Sequence, residues 1–206
     1  MSRGLGDVYK RQAERMNTFS GSPTSALIAK VAELRAEGKD IISLNVGEPD
    51  FGTPDYIKCG AIKAIVDNFS KYTAGNGIIE LRRLISKKLH EDNNLEYTTD
   101  EICATVGAKQ AIFNSIMALV DPGDEVLLPV PCWVSYTEMI KFAGAKPVFV
   151  DVEAETFDLD IEALEKAVTT KTKAIVICTP NNPTGAVYSA VSYTHLRAHE
   201  TLANLV

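Results

Sequence analysis

No apolar run in the sequence approaches the ~20 residues that a membrane-spanning helix needs. Basic residues are fewer than acidic ones: the sequence has 21 Lys and Arg and 27 Asp and Glu, which gives a formal net charge of -6. That balance argues against nucleic acid or an anionic membrane as a partner, because both need a basic face. Residues 1–12 have no apolar core followed by a small-residue cleavage site and therefore predict no secretion signal.

Cysteine and histidine are scarce and scattered. The four cysteines include no CxxC pair, and the three histidines include no zinc-protease helix motif. The sequence therefore predicts no metal site. Isolated cysteines among apolar residues are typical of small buried hydrophobes in a reduced, cytoplasmic protein. The cysteines are Cys59, Cys103, Cys132 and Cys178.

An alternation of strand and helix patterns is what the sequence does contain. Helical periodicity is found at residues 57–69, 78–89, 108–120, 134–142 and 161–168, and strand-like runs at 102–106, 125–129, 147–150 and 174–178. Asp160 can cap the last of these helices. A further helix that Ser22 can cap, and a short extended piece at 41–44, precede them. Such alternation predicts an α/β fold, with helices covering a largely parallel sheet. Ligands bind such folds at the carboxyl ends of the strands, here the loops after Val106, Leu128 and Cys178.

The first of these loops carries Gly107, Ala108 and Lys109, between a predicted strand and a predicted helix. Free N–H groups and the helix dipole at such a junction attract anions, and small residues let a phosphate approach. A tight strand-to-helix turn that needs a glycine explains the stretch equally well. It matches neither the GxGxxG fingerprint nor a Walker loop, so neither a dinucleotide nor a nucleoside triphosphate is favoured.

The other loops offer an aromatic ring and a side-chain amide. Trp133, the only tryptophan, follows a strand in "LPVPCWVSY" and could stack on a planar ring or simply pack. In "NNPTG" a rigid turn could aim one of two side-chain amides, Asn181 or Asn182, into a cleft, although an ordinary turn has the same composition. Gly47 in "NVGEPDFGTP" allows close backbone approach, and Tyr72 lies in the glycine-rich "KYTAGNG".

Taken together and in order, these strings resemble one family, the class I pyridoxal-phosphate-dependent aminotransferases of the aspartate aminotransferase kind. The matching strings are "SLNVGEPDFGTP", "KYTAGNGIIELR", "VGAKQAI", "DPGDEVLLPVPCWVSY" and "TPNNPTGAVY". The resemblance extends from about residue 14 to about residue 189. It implies the three-layer large domain of fold type I, present here in part, with an N-terminal helical segment that belongs to the small domain.

By this resemblance the cofactor would be pyridoxal 5'-phosphate, with its phosphate held by Gly107, Ala108 and Lys109. Tyr72 would reach the phosphate bound in a neighbouring subunit, so the resemblance implies a homodimer. The remaining implied roles concern the ring and the substrate. Trp133 would stack on the pyridine ring.

Asn182 would donate a hydrogen bond to the ring's phenolic oxygen, and Gly47 would bind the substrate's α-carboxylate through its N–H. Trp133 and Asn182 would also border the substrate. In the family the lysine that binds the cofactor covalently follows the "NNPTG" turn, as does the aspartate that pairs with the pyridine nitrogen. No lysine or aspartate follows Asn182 here, so the sequence assigns no catalytic residue to this chain.

The two ends depart from the family pattern. "SRGLGDVYKRQ" and "VSYTHLRAHET" resemble translated adapter sequence, which leads to the hypothesis that residues 1–12 and 191–206 are non-native flanks. Between them, residues 13–50 would form the N-terminal arm and part of the small domain. Residues 51–190 would form the incomplete cofactor-binding domain, with an unfinished sheet edge and exposed apolar surface.

The sequence therefore predicts a cytoplasmic aminotransferase that acts on an amino acid and a 2-oxo acid, represented here by an N-terminal part. The alternatives are a carbon–sulfur lyase that shares these motifs and a truncated chain with no activity of its own. A dehydrogenase is less favoured, because the glycine fingerprint and the acidic residue ~20 positions after it are both absent. Aspartate, aromatic, alanine and prephenate-type donors all remain open.

Overall fold

The computed structural model describes the backbone of residues 13–18, 23–44 and 47–203, with all their side chains except those of 23, 24 and 197–203. The predicted helix cap at Ser22, residues Asn45 and Val46 of the "NVGEPDFGTP" loop, and the proposed flank 1–12 lie outside the described residues. The chain divides into two compact units. The sheet unit contains described residues 13–18 and 111–203, and the helical unit contains 23–44 and 47–110.

Seven α-helices and three β-strands make up the regular structure of the described residues. The helices are α1 (Pro23–Ala36), α2 (Asp55–Val66), α3 (Ile79–Asn93), α4 (Gly107–Leu119), α5 (Ser135–Phe142), α6 (Ile161–Ala167) and α7 (Ala190–Ala203). The strands are β1 (Glu125–Val130), β2 (Lys146–Asp151) and β3 (Thr172–Ile175). Short 3-10 helices occupy Glu14–Thr18 and Thr99–Glu101.

The sheet is parallel, with the strand order β2-β1-β3. β1 lies in the middle and pairs with β2 from Glu125 opposite Lys146 to Val130 opposite Asp151. Its pairing with β3 is shorter, and the register shifts between Glu125 and Val126. A central parallel strand is covered on both faces, which explains why nearly the whole of β1 is apolar and buried.

Alternate residues of β1 face opposite sides of the sheet and enter two separate apolar clusters. Val126 and Leu128 point into a cluster with residues of α4 and α5, whereas Leu127 points into a cluster with Leu164 of α6. Leu196 of α7 packs against the second cluster. Helices thus cover both faces of the sheet unit, and the predicted three-layer α/β arrangement is confirmed.

Local capping agrees with the sequence pattern at α6. Asp160 precedes this helix, and its Oδ1 accepts a hydrogen bond from the backbone N–H of Ala163 at 2.9 Å. A carboxylate at this position satisfies an N–H that has no acceptor within the helix. The predicted Asp160 cap is therefore confirmed.

One predicted strand is wrong, and several boundaries shift. Residues 102–106 pair with no strand in the described part of the chain, and the Ala104 N–H donates instead to the Asn76 carbonyl at 3.0 Å. The predicted extended piece at 41–44 is assigned neither helix nor strand. Strand-like composition does not form a strand without a partner that accepts its backbone hydrogen bonds. β3 ends at Ile175 rather than at 178, and α2 ends at Val66 rather than at 69.

The helical unit is organised around a buried arginine. Arg82 of α3 is 8% exposed and donates from Nε to the Gly77 carbonyl at 3.2 Å and from a guanidinium NH to the Thr99 carbonyl at 2.7 Å. These bonds satisfy a charge that would otherwise be costly to bury. α2, in contrast, has no buried residue. None of the described helices is long and apolar enough to cross a membrane.

Candidate functional site

The loop after β3 folds into a turn whose buried residue is Asn181. This asparagine is 6% exposed, its backbone N–H donates to the Ala186 carbonyl at 2.8 Å, and its own carbonyl accepts from the Gly185 N–H at 2.7 Å. Its side-chain Nδ2 donates to Thr184 Oγ1 at 3.0 Å, and the same oxygen accepts the N–H of Ala186 at 3.2 Å. Backbone and side-chain bonds therefore close the turn, and Asn182 is left exposed beside it.

A second bond from Asn181 reaches the loop after β1. Its Nδ2 donates to the carbonyl oxygen of Pro131 at 2.9 Å, across 50 residues of sequence. Because a carbonyl can only accept, this contact fixes which end of the amide points toward Pro131. The two loops are thus linked at the carboxyl ends of neighbouring parallel strands, where this fold class binds its ligands.

Trp133 lies two residues after Pro131 and is half-buried. Its ring meets Tyr136 edge to face, with 5.3 Å between centroids and 88° between planes. Tyr136, in the first turn of α5, is itself buried and belongs to the apolar cluster of that face. The indole is therefore positioned by a buried aromatic partner, in the geometry that such pairs prefer.

Burial raises the pKa of Tyr136 and of two groups near it. Burial, a hydrogen bond with Cys178, and the nearby Cys178, Cys132 and Tyr188 raise the pKa of Tyr136 to about 12. Burial also raises the pKa of Cys132. The pKa of Tyr188 is raised mainly by burial, and in addition by the nearby Cys178, Cys132 and Asp158. Phenols and thiols with raised pKa values stay protonated, so Tyr136, Tyr188 and Cys132 are suited to positioning a ligand rather than to accepting a proton.

The amino end of α4 carries the predicted anion site. Gly107 begins the helix with φ at +77°, a left-handed conformation that glycine adopts without a steric penalty. Its N–H donates to the Thr105 carbonyl at 2.8 Å, and the N–H of Val106 donates to Gln110 Oε1 at 2.7 Å. Gln110 thus satisfies the residue before the helix, and the N–H groups of a helix's first turn are oriented toward any anion bound at that end.

The other candidates also lie in the helical unit. Gly47 and Tyr72 are both exposed, Tyr72 completely so. The structure thus links the loops of Trp133 and Asn182 through Asn181, and it gathers Gly107, Ala108 and Lys109 at one helix end.

No group of side chains in the described part of the chain could hold a metal ion. All four cysteines are free; Cys59 and Cys103 are exposed and Cys132 and Cys178 partly exposed, so none is as fully buried as expected of the three that lie among apolar residues.

Sequence reasoning missed three positioning residues: Asn181, Tyr136 and Gln110. Asn181 and Asn182 are identical neighbours, and no sequence signal tells which amide turns inward. Tyr136 follows Trp133 at a spacing of three, which within a helical start brings side chains together. Gln110 lies four residues after Val106, a separation at which a side chain can reach back to the residue that precedes the helix.

Comparison with known proteins gives matches over most of the chain. Residues 39–203 match the model of the family described as "Aminotransferase class I and II". A "Probable aspartate/prephenate aminotransferase" of Rickettsia conorii is 49% identical over 176 residues, which are 85% of this chain and 44% of that protein. An "Aspartate/prephenate aminotransferase" of Nitrosomonas europaea is 47% identical over 178 residues, 86% of this chain and 45% of that one.

A solved structure gives the same result for the fold. A single mutant of Thermus thermophilus aspartate aminotransferase superimposes with a TM-score of 0.88 at 40% sequence identity, over 99% of this chain and 52% of that one. The predicted fold class, a partial α/β domain of this type, is therefore confirmed. The chain spans about half the length of the relatives it matches.

Proposed function

Because the chain belongs to the aminotransferase class I and II family, we propose that the protein is an aminotransferase that uses pyridoxal 5'-phosphate. It transfers the amino group of an L-amino acid to a 2-oxo acid. The names of the relatives favour L-aspartate as the donor and prephenate as an acceptor. The chain spans 44% to 45% of those relatives, so the proposal concerns the whole protein.

One observation carries the proposal: the hydrogen bond from Asn181 Nδ2 to the Pro131 carbonyl. It joins the loop of an aromatic ring, Trp133, to the loop of a side-chain amide, Asn182. A flat ring and a donor amide are the groups that a planar heterocycle with a phenolic oxygen requires. Trp133 would stack on the pyridine ring, and Asn182 would donate to the phenolic oxygen and favour its ionised form.

The donor set at the start of α4 fits a phosphate. The first-turn N–H groups of Ala108 and Lys109 and the helix dipole favour an anion, Gly107 lets it approach, and the Lys109 ammonium adds a positive charge. Pyridoxal phosphate, when bound, supplies the electron sink for the substrate's α-carbon. The chain's own residues bind and orient it, and Gly47 binds the substrate carboxylate through its N–H. No lysine follows Lys173, so no covalent attachment is assigned within this chain.

The proposed assembly is a homodimer in which Tyr72 reaches the phosphate bound by the partner. Its support is the large amount of apolar surface on the helical unit, where no residue of α2 is buried. Such surface marks an interface more often than a solvated face. The exposed apolar side chains are Phe51, Ile57, Ile62, Ile65, Val66 and Phe69. A cytoplasmic location and a role in amino-acid metabolism complete the proposal.

The test uses the product of the complete reading frame, purified and supplied with pyridoxal phosphate, L-aspartate and prephenate. Formation of oxaloacetate with an equal amount of the amino acid derived from prephenate is expected. Asn182→Ala should lower the rate, whereas Asn114→Ala, at an exposed position of α4, serves as the matched control. Ammonia release without a new amino acid would instead indicate the elimination reaction of a carbon–sulfur lyase, and the absence of both products would reject the proposal.

A further inference from the structure

We propose that Asn181 is a positioning residue that sets the place of Asn182 relative to Trp133. Its side-chain nitrogen donates to two acceptors on different segments, the Pro131 carbonyl at 2.9 Å and Thr184 Oγ1 at 3.0 Å. One acceptor lies two residues before Trp133 and the other two residues after Asn182. This inference rests on the proposed function for its ligand, though not for its geometry.

The two contacts use both hydrogens of a single amide, and this makes Asn181 a cross-link rather than a local turn residue. A buried amide at 6% exposure has little access to water, so either contact, once broken, leaves a polar group without a replacement partner. The network includes a third member, since Thr184 Oγ1 also accepts the Ala186 N–H at 3.2 Å. The amide therefore holds the turn that carries Asn182 and attaches that turn to the loop of Trp133.

Positioning of this kind matters because the proposed cofactor ring would contact both loops. Stacking on Trp133 and a hydrogen bond from Asn182 must be satisfied by the same rigid molecule, so a displacement of one loop weakens both interactions. Trp133 is packed edge to face on the buried Tyr136, and the contact of Asn181 with Pro131 also holds its loop. The positions of both loops therefore depend on Asn181.

The sole tryptophan of the chain is Trp133, and its fluorescence therefore reports on this loop alone. Asn181→Asp keeps the shape of the side chain but places a carboxylate oxygen against the Pro131 carbonyl, two acceptors that repel. Thr184→Val keeps the Pro131 contact and removes the acceptor in the turn. Asn114→Asp makes the same chemical change at an exposed position of the same unit and is the control.

The cofactor-free chain is compared first. Asn181→Asp is expected to shift Trp133 emission to longer wavelength and to increase its quenching by acrylamide, whereas Thr184→Val and Asn114→Asp leave both unchanged. Pyridoxal phosphate is then titrated while Trp133 quenching is recorded. Both Asn181→Asp and Thr184→Val are expected to weaken binding about tenfold, the effect of one lost buried hydrogen bond, and Asn114→Asp to leave it unchanged.

The outcomes separate the two proposals. If the unmodified chain does not bind pyridoxal phosphate, the proposed function loses its support here, while the emission of Asn181→Asp still decides the cross-link. Unchanged emission and unchanged affinity in a folded Asn181→Asp, judged by circular dichroism, would overturn the inference. If Asn181→Asp does not fold, Thr184→Val decides: weaker binding with unchanged emission supports the inference, and unchanged binding refutes it.

Discussion

The hydroxyl of Ser192 donates a hydrogen bond to the carboxylate of Asp158, with 3.0 Å between Oγ and Oδ2. Ser192 is 9% exposed and lies in the first turn of α7, where Ser189 Oγ accepts the N–H of Ser192 at 3.1 Å. The sequence pattern did not predict this helix. The hypothesis that residues 191–206 are a non-native flank stays a prediction, although the family match reaches residue 203.

The stability of the sheet unit should fall in acid because of Asp158. Burial raises the pKa of this carboxyl, but hydrogen bonds from Ser189, Leu159 and Ser192 together outweigh burial and hold it below its usual range. A depressed pKa stabilises the fold above the ordinary aspartate pKa of about 4, and this contribution is lost as the pH falls through the lowered value. Thermal unfolding of Asp158→Asn should therefore show a weaker pH dependence as the pH falls below about 4.

Asp151→Asn, at an exposed position at the end of β2, is the control for this measurement. It should leave the acid dependence of the unmodified chain intact. Equal acid dependence in Asp158→Asn and in the unmodified chain would show that the hydrogen bonds of Asp158 do not favour the folded carboxylate.

Alanine substitutions at three glycines should lower the free energy of unfolding by different amounts. Gly77 has φ at +97°, and an added Cβ would lie 2.7 Å from the Cβ of Ala104; Gly107 has φ at +77° but open space around it. Gly52 has neither constraint. Gly107→Ala should cost about 1–2 kcal/mol of unfolding free energy from the backbone alone, Gly77→Ala more, and Gly52→Ala little. Urea unfolding of the three variants measures the order, and equal values for Gly107→Ala and Gly52→Ala would contradict it.

Two substitutions at Gln110 distinguish its contribution to helix stability from its effect on anion binding. Gln110→Ala removes the acceptor of the Val106 N–H and should lower the free energy of unfolding by about 1 kcal/mol. It should also weaken the binding of phosphate. Gln110→Glu keeps an acceptor at that position but adds a negative charge near the proposed phosphate site. Unfolding should therefore be nearly unchanged in Gln110→Glu, while inorganic phosphate and pyridoxal phosphate, titrated against Trp133 fluorescence, bind more weakly. Unchanged binding in Gln110→Glu would place the anion elsewhere.

The sheet unit should depend strongly on the central residue of β1. Leu128 is fully buried in the apolar cluster with α4 and α5, whereas Leu119 at the end of α4 is 49% exposed. Leu128→Ala should cost about 2–5 kcal/mol through lost burial and the cavity that remains. Leu119→Ala should cost well under half as much, measured by urea unfolding. Similar losses at both positions would mean that Leu128 is not in a rigid core.

Much of the fold follows from the sequence alone. Helical periodicity predicts α5 at 134–142 and α6 at 161–168. Apolar runs predict β1 at 125–129 and β2 at 147–150. Asp160 is suited by its chemistry to cap a helix. Gly107 is suited by its conformational freedom to the tight turn at which α4 begins. These features are local, since each depends on the residues within a few positions of it. The ordered motifs are likewise a property of the sequence, and the family they resemble is the one to which the chain belongs.

Only the tertiary structure decided where pairing and burial occur. Residues 102–106 have strand-like composition and form no strand in the described structure, because backbone hydrogen bonds need a partner whose position the local sequence does not encode. Asn181 and Asn182 are chemically identical, and the carbonyl of Pro131, 50 residues away in sequence, determines which one turns inward. The sequence thus determined which side chains are available for the site, and long-range contacts determined which of them hold it in place.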